Sequence, residues 1–325
     1  MYNAAIVGCG VIGNRLAGSF ESHSDTTVWG GCDLVEERVE TFAEEYDCEA
    51  YTDYEELVAE DAVDIVYVGV PPVVHHEVVE AAIDAGKAVI CEKPMAQSTA
   101  VAEEIATLEA GHDQPTAVNL PFRYTPGFVE MRERIADGHI GEPQRIELTF
   151  RFPQWPREWQ DVEWLTSREQ GGPLREVGTH YLFGVQEAFS PIDWVNAEVG
   201  YTGPESYEGS ITGYFGVNGV GGVIDLLTDC GAEEENSITV VGTEGTLSLL
   251  EWYRLVGSGV ESEERSIEER RSETTQMLVD EFVTALDGGD GDLVSFAEAT
   301  QVQRVVDAIF DSEGDAVAIP DELSN

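Results

Sequence analysis

The chain has 325 residues, of which 42% are hydrophobic and 9% aromatic, so it can build a substantial core and is long enough for two domains. It carries 64 Asp and Glu against 17 Lys and Arg, and the net charge of −47 disfavours nucleic acid and anionic membrane surfaces as partners. Only two basic residues are lysines, and the acids are spread along the whole length. We interpret this composition as adaptation to a cytoplasm of molar salt; an ordinary acidic cytosolic protein is the alternative.

The five cysteines are odd in number, contain no CxxC pair and have no zinc-finger spacing to histidine, so we expect no metal site and a reducing compartment. No basic segment precedes the first apolar run, which argues against a signal peptide. No apolar run approaches the roughly 18 residues that a bilayer span needs. The expected location is the cytoplasm.

A glycine-rich turn follows the first predicted strand, in the sequence "AAIVGCGVIG". Residues 4–7 form an apolar run typical of a buried strand, and residues 11–20 have helical apolar spacing. In a strand, G-x-G-x-x-G, helix arrangement, the glycines permit a tight turn and the close approach of a pyrophosphate, and the helix N-terminus offers N–H groups to it. A purely structural turn is the alternative. The residues predicted to contact a dinucleotide here are Gly8, Gly10, Val11, Ile12 and Gly13.

An acidic residue stands where a dinucleotide site requires one. The apolar run of residues 26–32 ends in Asp33, twenty residues after Gly13. A carboxylate at this place accepts hydrogen bonds from the ribose hydroxyls of NAD and repels a 2′-phosphate. NAD is therefore the predicted cofactor, and NADP is a second possibility because Arg38 is near in sequence.

Strands and helices continue to alternate up to about residue 120. Apolar runs at 64–70, 88–91 and 116–120 predict strands, and the intervening segments 35–46, 73–85 and 99–110 predict helices. This alternation predicts a doubly wound parallel sheet, in which ligands bind beyond the carboxyl ends of the strands. The residues that fall at those ends, and that we predict to line the cofactor site, are Val70, Pro71, His75, Glu92, Lys93, Pro94 and Asn119.

The second half has a different pattern, with a helix predicted at 126–136 and several short Val-, Ile- and Thr-rich strands between residues 192 and 256. Helices are predicted at 274–286 and 296–311, and the charged segment 259–273 is predicted to be a solvated loop. We therefore predict domains of residues 1–120 and 121–325.

Glu176 and His180, in "GGPLREVGTHYLFGV", are four residues apart, which places both on one face if the segment is an α-helix. Histidine suits proton transfer at neutral pH, although a packed core histidine is the ordinary alternative.

Three motifs together, "GCGVIG", "VPPVVHHEVVEAAIDAGKAVICEKPMA" and "FRYTP", resemble the family of glucose–fructose oxidoreductase, inositol 2-dehydrogenase and rhizopine catabolism protein (Gfo/Idh/MocA). The resemblance runs nearly end to end. It implies an α/β protein with an N-terminal Rossmann domain and a C-terminal α/β domain built on an open, mostly antiparallel sheet. It also implies hydride transfer between NAD(P) and a sugar, polyol or related compound, and a homodimer or homotetramer in which the open sheets pair.

The resemblance further implies roles for single residues. Lys93 would lie beside nicotinamide and substrate, Glu92 and Pro94 would contact the nicotinamide ribose, and His180 would take the proton of the substrate hydroxyl. The residues that the resemblance implies bind substrate are Lys93, Arg123, Glu176 and His180; Trp155 is added because an aromatic ring can stack on a sugar. The chain departs from the family where Glu176 replaces the usual aspartate and Phe183 replaces an aspartate three residues after the histidine, two changes that bear on the substrate class.

Two features leave alternatives open. Eight of the fifteen arginines lie between Arg123 and Arg175, and they could bind an anionic substrate or pair with nearby acids, the second being the commoner use. Trp155, Trp159 and Trp164 could stack on a sugar ring or pack internally. Two other functions are compatible with the pattern: a reductase for a keto-sugar or imine, and a non-catalytic NAD-binding sensor, against which Lys93 and the Glu176–His180 pair argue.

Overall fold

The computed structural model describes residues 1–160, 162–261 and 266–320. The chain divides into two compact units. The first comprises Met1–Pro121 together with Arg271–Thr300, and the second comprises Phe122–Arg270 and the chain from Gln301 onward. No helix in the described part of the chain is both long enough and apolar enough to span a bilayer.

The first unit contains a parallel sheet whose strands alternate with helices. Its strands are β1 (Tyr2–Val7), β2 (Thr26–Cys32), β3 (Glu49–Tyr51), β4 (Ile65–Val68), β5 (Ala88–Cys91) and β6 (Thr116–Val118). Its helices are α1 (Val11–Ser22), α2 (Glu36–Tyr46), α3 (Tyr54–Val58), α4 (Pro72–Asp84) and α5 (Thr99–Glu109). The strand order is β3-β2-β1-β4-β5-β6, which is the order of dinucleotide-binding doubly wound sheets and confirms the predicted fold class. The short elements β3 and α3 were not predicted.

The second unit is built on a nine-stranded sheet. Its elements in chain order are α6 (Pro126–Ala136), β7 (Pro143–Phe152), α7 (Thr179–Ala188), β8 (Trp194–Tyr201), β9 (Glu208–Val217), β10 (Val220–Thr228), β11 (Glu235–Gly242), β12 (Thr246–Leu250), β13 (Arg254–Gly257), β14 (Val260–Glu261), α8 (Ile267–Leu286), α9 (Phe296–Asp311) and β15 (Val317–Ala318), of which α8 and α9 are each shared between the two units. The strand order is β14-β13-β12-β11-β7-β10-β9-β8-β15, and every described pair is antiparallel except β7 with β10. The predicted open, mostly antiparallel sheet is therefore confirmed.

The two faces of this sheet differ in chemistry because side chains alternate along each strand. Ile146, Leu148 and Phe150 of β7 are buried on the core face, beside Ile224 and Leu226 of β10. The other face carries mixed polar, charged and apolar side chains, among them Trp194, Tyr214 and Leu227, which are exposed. The central strand β7 was missed by the sequence analysis although its alternation is regular.

The segment Arg271–Thr300 packs with the first unit, although the sequence analysis placed it in the second domain. The hydroxyl of Ser19 in α1 donates to the hydroxyl of Thr275 in α8 at 2.9 Å, and both are buried. The backbone N–H of Val118 in β6 donates to the carbonyl of Val294 at 2.9 Å. The predicted charged loop of residues 259–273 is corrected, because it contains β14 and helix α8 begins at Ile267, while residues 262–265 lie outside the described part of the chain.

Candidate functional site

The turn between β1 and α1 has the features that a diphosphate group requires. Gly8 has a φ of +104°, and a Cβ there would collide with the backbone carbonyl of Gly69. A Cβ at Gly13 would collide with the carbonyl of Gly8. A Cβ at Gly10, in contrast, would have no heavy atom within 4 Å. No side chain caps the N-terminus of α1, so its first N–H groups point to this space. The turn formed by Gly8, Gly10, Val11, Ile12 and Gly13 therefore fits the pyrophosphate of a dinucleotide.

Asp33 follows β2 and is buried at the edge of this turn. One carboxylate oxygen accepts the N–H of Cys9 at 3.1 Å and the other accepts the N–H of Val35 at 3.0 Å. The guanidinium of Arg38 donates to both oxygens at 3.0 Å. A cavity of about 470 Å³ adjoins Arg38 and is lined also by Glu37 and Phe42. Asp33 therefore stands where the ribose contact was predicted, with a cation beside it.

His75 was predicted to contact the cofactor, and its imidazole makes two contacts with backbone carbonyls of the first unit. Its side chain is fully buried in α4, with Nε2 2.7 Å from the carbonyl of Val70 and Nδ1 3.1 Å from the carbonyl of Met95. Burial lowers the pKa of the imidazole, so the neutral ring donates to only one of the two carbonyls at a time. His75 thus links the turns after β4 and β5, and a cofactor contact by its side chain stays a prediction.

Glu92 is the centre of a hydrogen-bond network at the carboxyl end of β5. Its Oε1 accepts the hydroxyl of Tyr67 and the side-chain amide of Asn119, each at 2.6 Å, and its Oε2 is 3.2 Å from the backbone N–H of Lys93. Glu92, Asn119 and Tyr67 are all buried, and burial beside the carboxylate raises the pKa of Tyr67 well above its usual range. Glu92 and Asn119 therefore orient the backbone that carries Lys93.

Lys93 is half-buried in the turn after β5, and its peptide bond to Pro94 is cis. The other lysine of the chain has a different environment. The ammonium of Lys87 donates to the carbonyls of Glu60 and Val63 at 2.8 and 2.9 Å, which is a contact that stabilises the fold. Only Lys93 of the two stands at the carboxyl edge of the sheet, where ligands bind in folds of this class.

In the second unit, Glu176 and His180 lie in consecutive helical segments of different type. Residues Leu174–Gly178 form a single π-helical turn, and α7 begins at Thr179. The prediction of one continuous α-helix is therefore corrected, because the first turn is wider. π-Helical turns inside helices are frequent at functional sites. His180 is buried and its ring packs against Trp252, with centroids 4.8 Å apart and near-perpendicular planes.

Two predicted substrate ligands are engaged elsewhere in the second unit. The side chain of Trp155 is only 4% exposed, and its indole N–H donates to the carbonyl of Leu165 at 3.2 Å, which favours internal packing; a substrate contact by Trp155 stays a prediction. Arg123 donates to both carboxylate oxygens of Glu187, at 2.6 and 3.2 Å. A substrate contact by Arg123 stays a prediction.

Most of the arginine cluster is paired with acids, as the commoner of the two interpretations predicted. Five of its eight members form ion pairs: Arg123 and Arg132 with Glu187, Arg134 with Glu130, Arg151 with Asp225, and Arg157 with Glu234. These contacts give the cluster a structural role without any ligand.

Three residues that the sequence analysis did not select belong to the site's surroundings. Tyr67 is the polar residue in the otherwise apolar run "IVYVGV" (residues 65–70), and that position was its only sequence signal. Gln160 accepts the N–H of Arg157 at 3.1 Å through Oε1, which leaves its Nε2 to donate to Glu176 at 3.2 Å. Glu208, at the start of β9, is buried beneath the turn before Glu176 and no motif marked it.

Sequence comparison finds related proteins along much of the chain. Residues 2–120 match the family model described as "Oxidoreductase family, NAD-binding Rossmann fold", and residues 128–248 match the "GFO/IDH/MocA C-terminal domain". An inositol 2-dehydrogenase of Salmonella typhimurium is 34% identical over 151 residues, covering 44% of each chain. Another, of Rhizobium meliloti, is 29% identical over 178 residues, covering 54% of this chain and 51% of the relative. The match thus spans about half the length of these relatives.

Solved structures share the whole fold at low identity. An oxidoreductase from Thermotoga maritima has a TM-score of 0.85 at 21% identity, with 98% of each chain covered. A levoglucosan dehydrogenase in complex with NADH and L-sorbose has a TM-score of 0.84 at 18% identity, covering 98% of this chain and 99% of that one. The two family matches, the strand order of the first unit and the glycine turn agree, and the chain belongs to the Gfo/Idh/MocA family of oxidoreductases, with an NAD-binding Rossmann domain as its first unit.

Proposed function

We propose that this protein is an NAD(P)-dependent dehydrogenase that transfers a hydride between the nicotinamide and a secondary hydroxyl or ketone of a sugar, polyol or related compound. The observation that carries the proposal is the Glu92 network, which orients the backbone of Lys93 at the carboxyl edge of the sheet. Family membership and the inositol 2-dehydrogenases among its relatives support the same reaction class.

The chain's own residues would divide the chemistry as follows. His180 accepts the proton of the substrate hydroxyl, and Glu176, close to it in sequence, orients the histidine or the substrate. The ammonium of Lys93 stabilises the negative charge that develops on the substrate oxygen as its proton leaves. When bound, NAD⁺ would supply the acceptor for the hydride that leaves the carbinol carbon. In the reverse direction His180 returns the proton to the ketone oxygen.

A spectrophotometric screen tests the proposal. NAD⁺ and NADP⁺ are each combined with sugars, polyols and sugar acids in molar KCl, and absorbance at the reduced-nicotinamide band is followed in both directions. Turnover of at least one polyol or sugar that is lost in His180→Ala supports the assignment. Reduction of a keto-sugar or imine alone would favour the alternative direction. Tight NADH binding by titration, without turnover of any compound, would replace the enzyme by a sensor.

We infer that the open face of the nine-stranded sheet pairs with a second copy of this chain. Tyr214 is 58% exposed there, with Trp194 and Leu227 on the same face. The face also carries charges of both signs, including the pair of Arg151 with Asp225, in a chain of net charge −47. A two-fold axis allows such a mixed face to meet its own copy. Light scattering in molar KCl should give a dimer or tetramer, and Tyr214→Glu should shift it towards monomer; an unchanged mass for that variant would contradict the inference.

The composition supports the remaining parts of the proposal. Because the surface is strongly acidic, neither nucleic acid nor a membrane is a partner, and the working environment is the salt-rich cytoplasm of a halophile. Binding to an RNA or anionic-vesicle column at physiological salt would contradict this assignment.

A further inference from the structure

A carboxyl group that the proposed mechanism does not use is buried beneath the turn that leads to Glu176. Glu208, the first residue of β9, is 1% exposed. Its Oε1 accepts the backbone N–H of Leu174, the first residue of the π-helical turn, at 2.6 Å. That N–H belongs to the first turn of a helix, where donors have no partner within the helix. Glu208 therefore completes the hydrogen bonding at the start of the segment that carries Glu176 and His180.

The glycine turn is shaped around the same carboxyl group. Gly172 has a φ of +94°, and a Cβ at this position would collide with Oε2 of Glu208. Gly172 thus has two reasons to be glycine: the backbone conformation and the space that the carboxyl group fills. At Gly171 a Cβ would instead collide with the backbone carbonyls of Trp164 and Leu165. The three heavy atoms nearest to a Cβ at Gly172 all belong to the carboxyl group of Glu208, so this group alone sets the available space.

Arg175 holds the other side of the turn. Its Nη1 donates to the carbonyls of Arg168 and Gly171, at 3.0 and 3.3 Å, and its guanidinium lies over the ring of Phe310, 4.4 Å from the centroid. Burial raises the pKa of Glu208 to about 7, against the opposing effects of the Leu174 hydrogen bond and the charge of Arg175. Burial lowers the pKa of Arg175, and the groups whose charges oppose that effect are Glu208, Asp307, Tyr201 and Glu169.

A buried carboxyl group costs stability unless it is hydrogen-bonded, and a fold that needed only packing here would gain more from an apolar side chain. We propose that Glu208 is a positioning residue for the reaction: it fixes the Gly171–Leu174 turn and, through it, the placement of Glu176 and His180. The inference rests on the proposed roles of those two residues.

Paired substitutions separate positioning from mere stability. Glu208→Gln keeps an oxygen that accepts the Leu174 N–H, so its kcat should stay within about threefold of the parent. Glu208→Ala removes the acceptor and should lower kcat at least about tenfold, while the Kd for NAD⁺, a property of the other unit, stays unchanged. Equal kcat in all three proteins overturns the proposal. Equal loss in Gln and Ala, accompanied by weaker NAD⁺ binding and a lower melting temperature, also overturns it, since that pattern marks a general folding defect.

A second perturbation reaches the same contact from the opposite side. Gly172→Ala should lower kcat at least about tenfold, whereas the control Gly138→Ala, which has a φ of +76° but no atom within 4 Å of its Cβ, should leave kcat within threefold. In the Glu208→Ala background the collision partner is absent, so Gly172→Ala should cost less than it does alone. Strictly multiplicative effects on kcat would mean that the two residues act independently, and would overturn the proposal.

Hydrogen exchange distinguishes failure of this inference from failure of the proposed function. The amide of Leu174 should exchange faster in Glu208→Ala than in the parent and in Glu208→Gln, whatever reaction the protein catalyses. Unchanged exchange in the alanine variant removes the structural basis of the inference. Full turnover by His180→Ala removes the proposed catalytic role instead, and it does so whether or not Leu174 exchange responds to Glu208.

Discussion

The guanidinium of Arg38 lies on the carboxylate of Asp33, with Nη1 3.0 Å from each of the two oxygens. A carboxylate offers about four lone-pair positions. The N–H groups of Cys9 and Val35 take two of them, so Arg38 takes the remainder. Ribose hydroxyls that donate to Asp33 therefore compete with Arg38, whose side chain is 50% exposed and can turn into the solvent.

We expect a preference for NAD over NADP, measured as kcat/KM for each cofactor at one salt concentration. Asp33 repels a 2′-phosphate, and Arg38 supplies a single compensating cation beside Glu37. Arg38→Met should leave kcat/KM for NAD⁺ equal or higher and lower the value for NADP⁺ about tenfold. Arg134→Met, which removes a surface pair with Glu130 in the other unit, is the control and should change neither value. A kcat/KM for NADP⁺ at or above that for NAD⁺ in the parent would refute the preference.

The two lysines form a matched pair for testing the proposed catalytic role. Lys93→Ala should lower kcat at least about 10²-fold with little change in NAD⁺ binding, because a positioned transition-state group is lost. Lys87→Ala should lower the melting temperature, because the carbonyls of Glu60 and Val63 lose their donor, and should leave kcat within about threefold. Turnover by the Lys93 variant above a tenth of the parent rate, on the best substrate, would show that the assignment is wrong.

Local pattern was enough to predict the parallel sheet of the first unit, apart from β3 and α3, and the turns at its carboxyl edge. The glycine turn, Asp33 and Glu92–Lys93 lie where strand ends were predicted, because a run of buried apolar residues fixes a parallel strand and the fold fixes which end binds ligands. The fate of individual side chains could not be read in this way. Trp155 and His75 turned out to be buried because of contacts with Leu165, Val70 and Met95, and tertiary contacts of this kind leave no trace in sequence spacing.

The same limit explains the missed elements of the second unit. Strand β7 alternates regularly, but its polar residues Arg145, Glu147 and Arg151 face the open side of the sheet and obscured the apolar series. Glu208 is one of 64 acidic residues, and composition gives no reason to select it. Its importance comes from burial, which only the pairing of β9 beneath the Gly172 turn creates.

The buried carboxyl group of Glu208 should give the protein a measurable stability change with pH. Its pKa in the folded state is about 7, above the ordinary value of 4.5, so the folded state holds this proton more tightly than the unfolded state does. The resulting stability is fully present below about pH 4.5 and is lost as pH rises through 7. Glu208→Gln cannot ionise. The free energy of unfolding of the Gln variant minus that of the parent should therefore increase by on the order of 2 to 3 kcal/mol from pH 5 to pH 8.

Denaturant titrations of both proteins in molar KCl measure this difference, and the salt limits the contribution of surface charge. Glu244→Gln, which changes a carboxylate on an exposed turn, is the control, and its difference from the parent should not change with pH. Glu187→Gln would not serve, because it breaks the ion pair with Arg123. A gap between the Glu208→Gln variant and the parent that is constant from pH 5 to 8 would show that Glu208 titrates normally.

The excess of acidic residues predicts a strong dependence of stability on salt. With 64 acids against 17 bases, like charges repel across the surface, and the screening length grows from about 3 Å at 1 M salt to about 30 Å at 0.01 M. The melting temperature should therefore rise steeply from dilute buffer to molar KCl, and kcat should rise with it. The rise should exceed that of an ordinary protein, in which salt acts mainly by strengthening hydrophobic burial. A thermal melt series in KCl, with sucrose as a control for solute exclusion, measures the effect. If the melting temperature is flat in KCl, or if sucrose alone reproduces its rise, charge screening is not the cause, and the assignment to a salt-rich cytoplasm loses its physical basis.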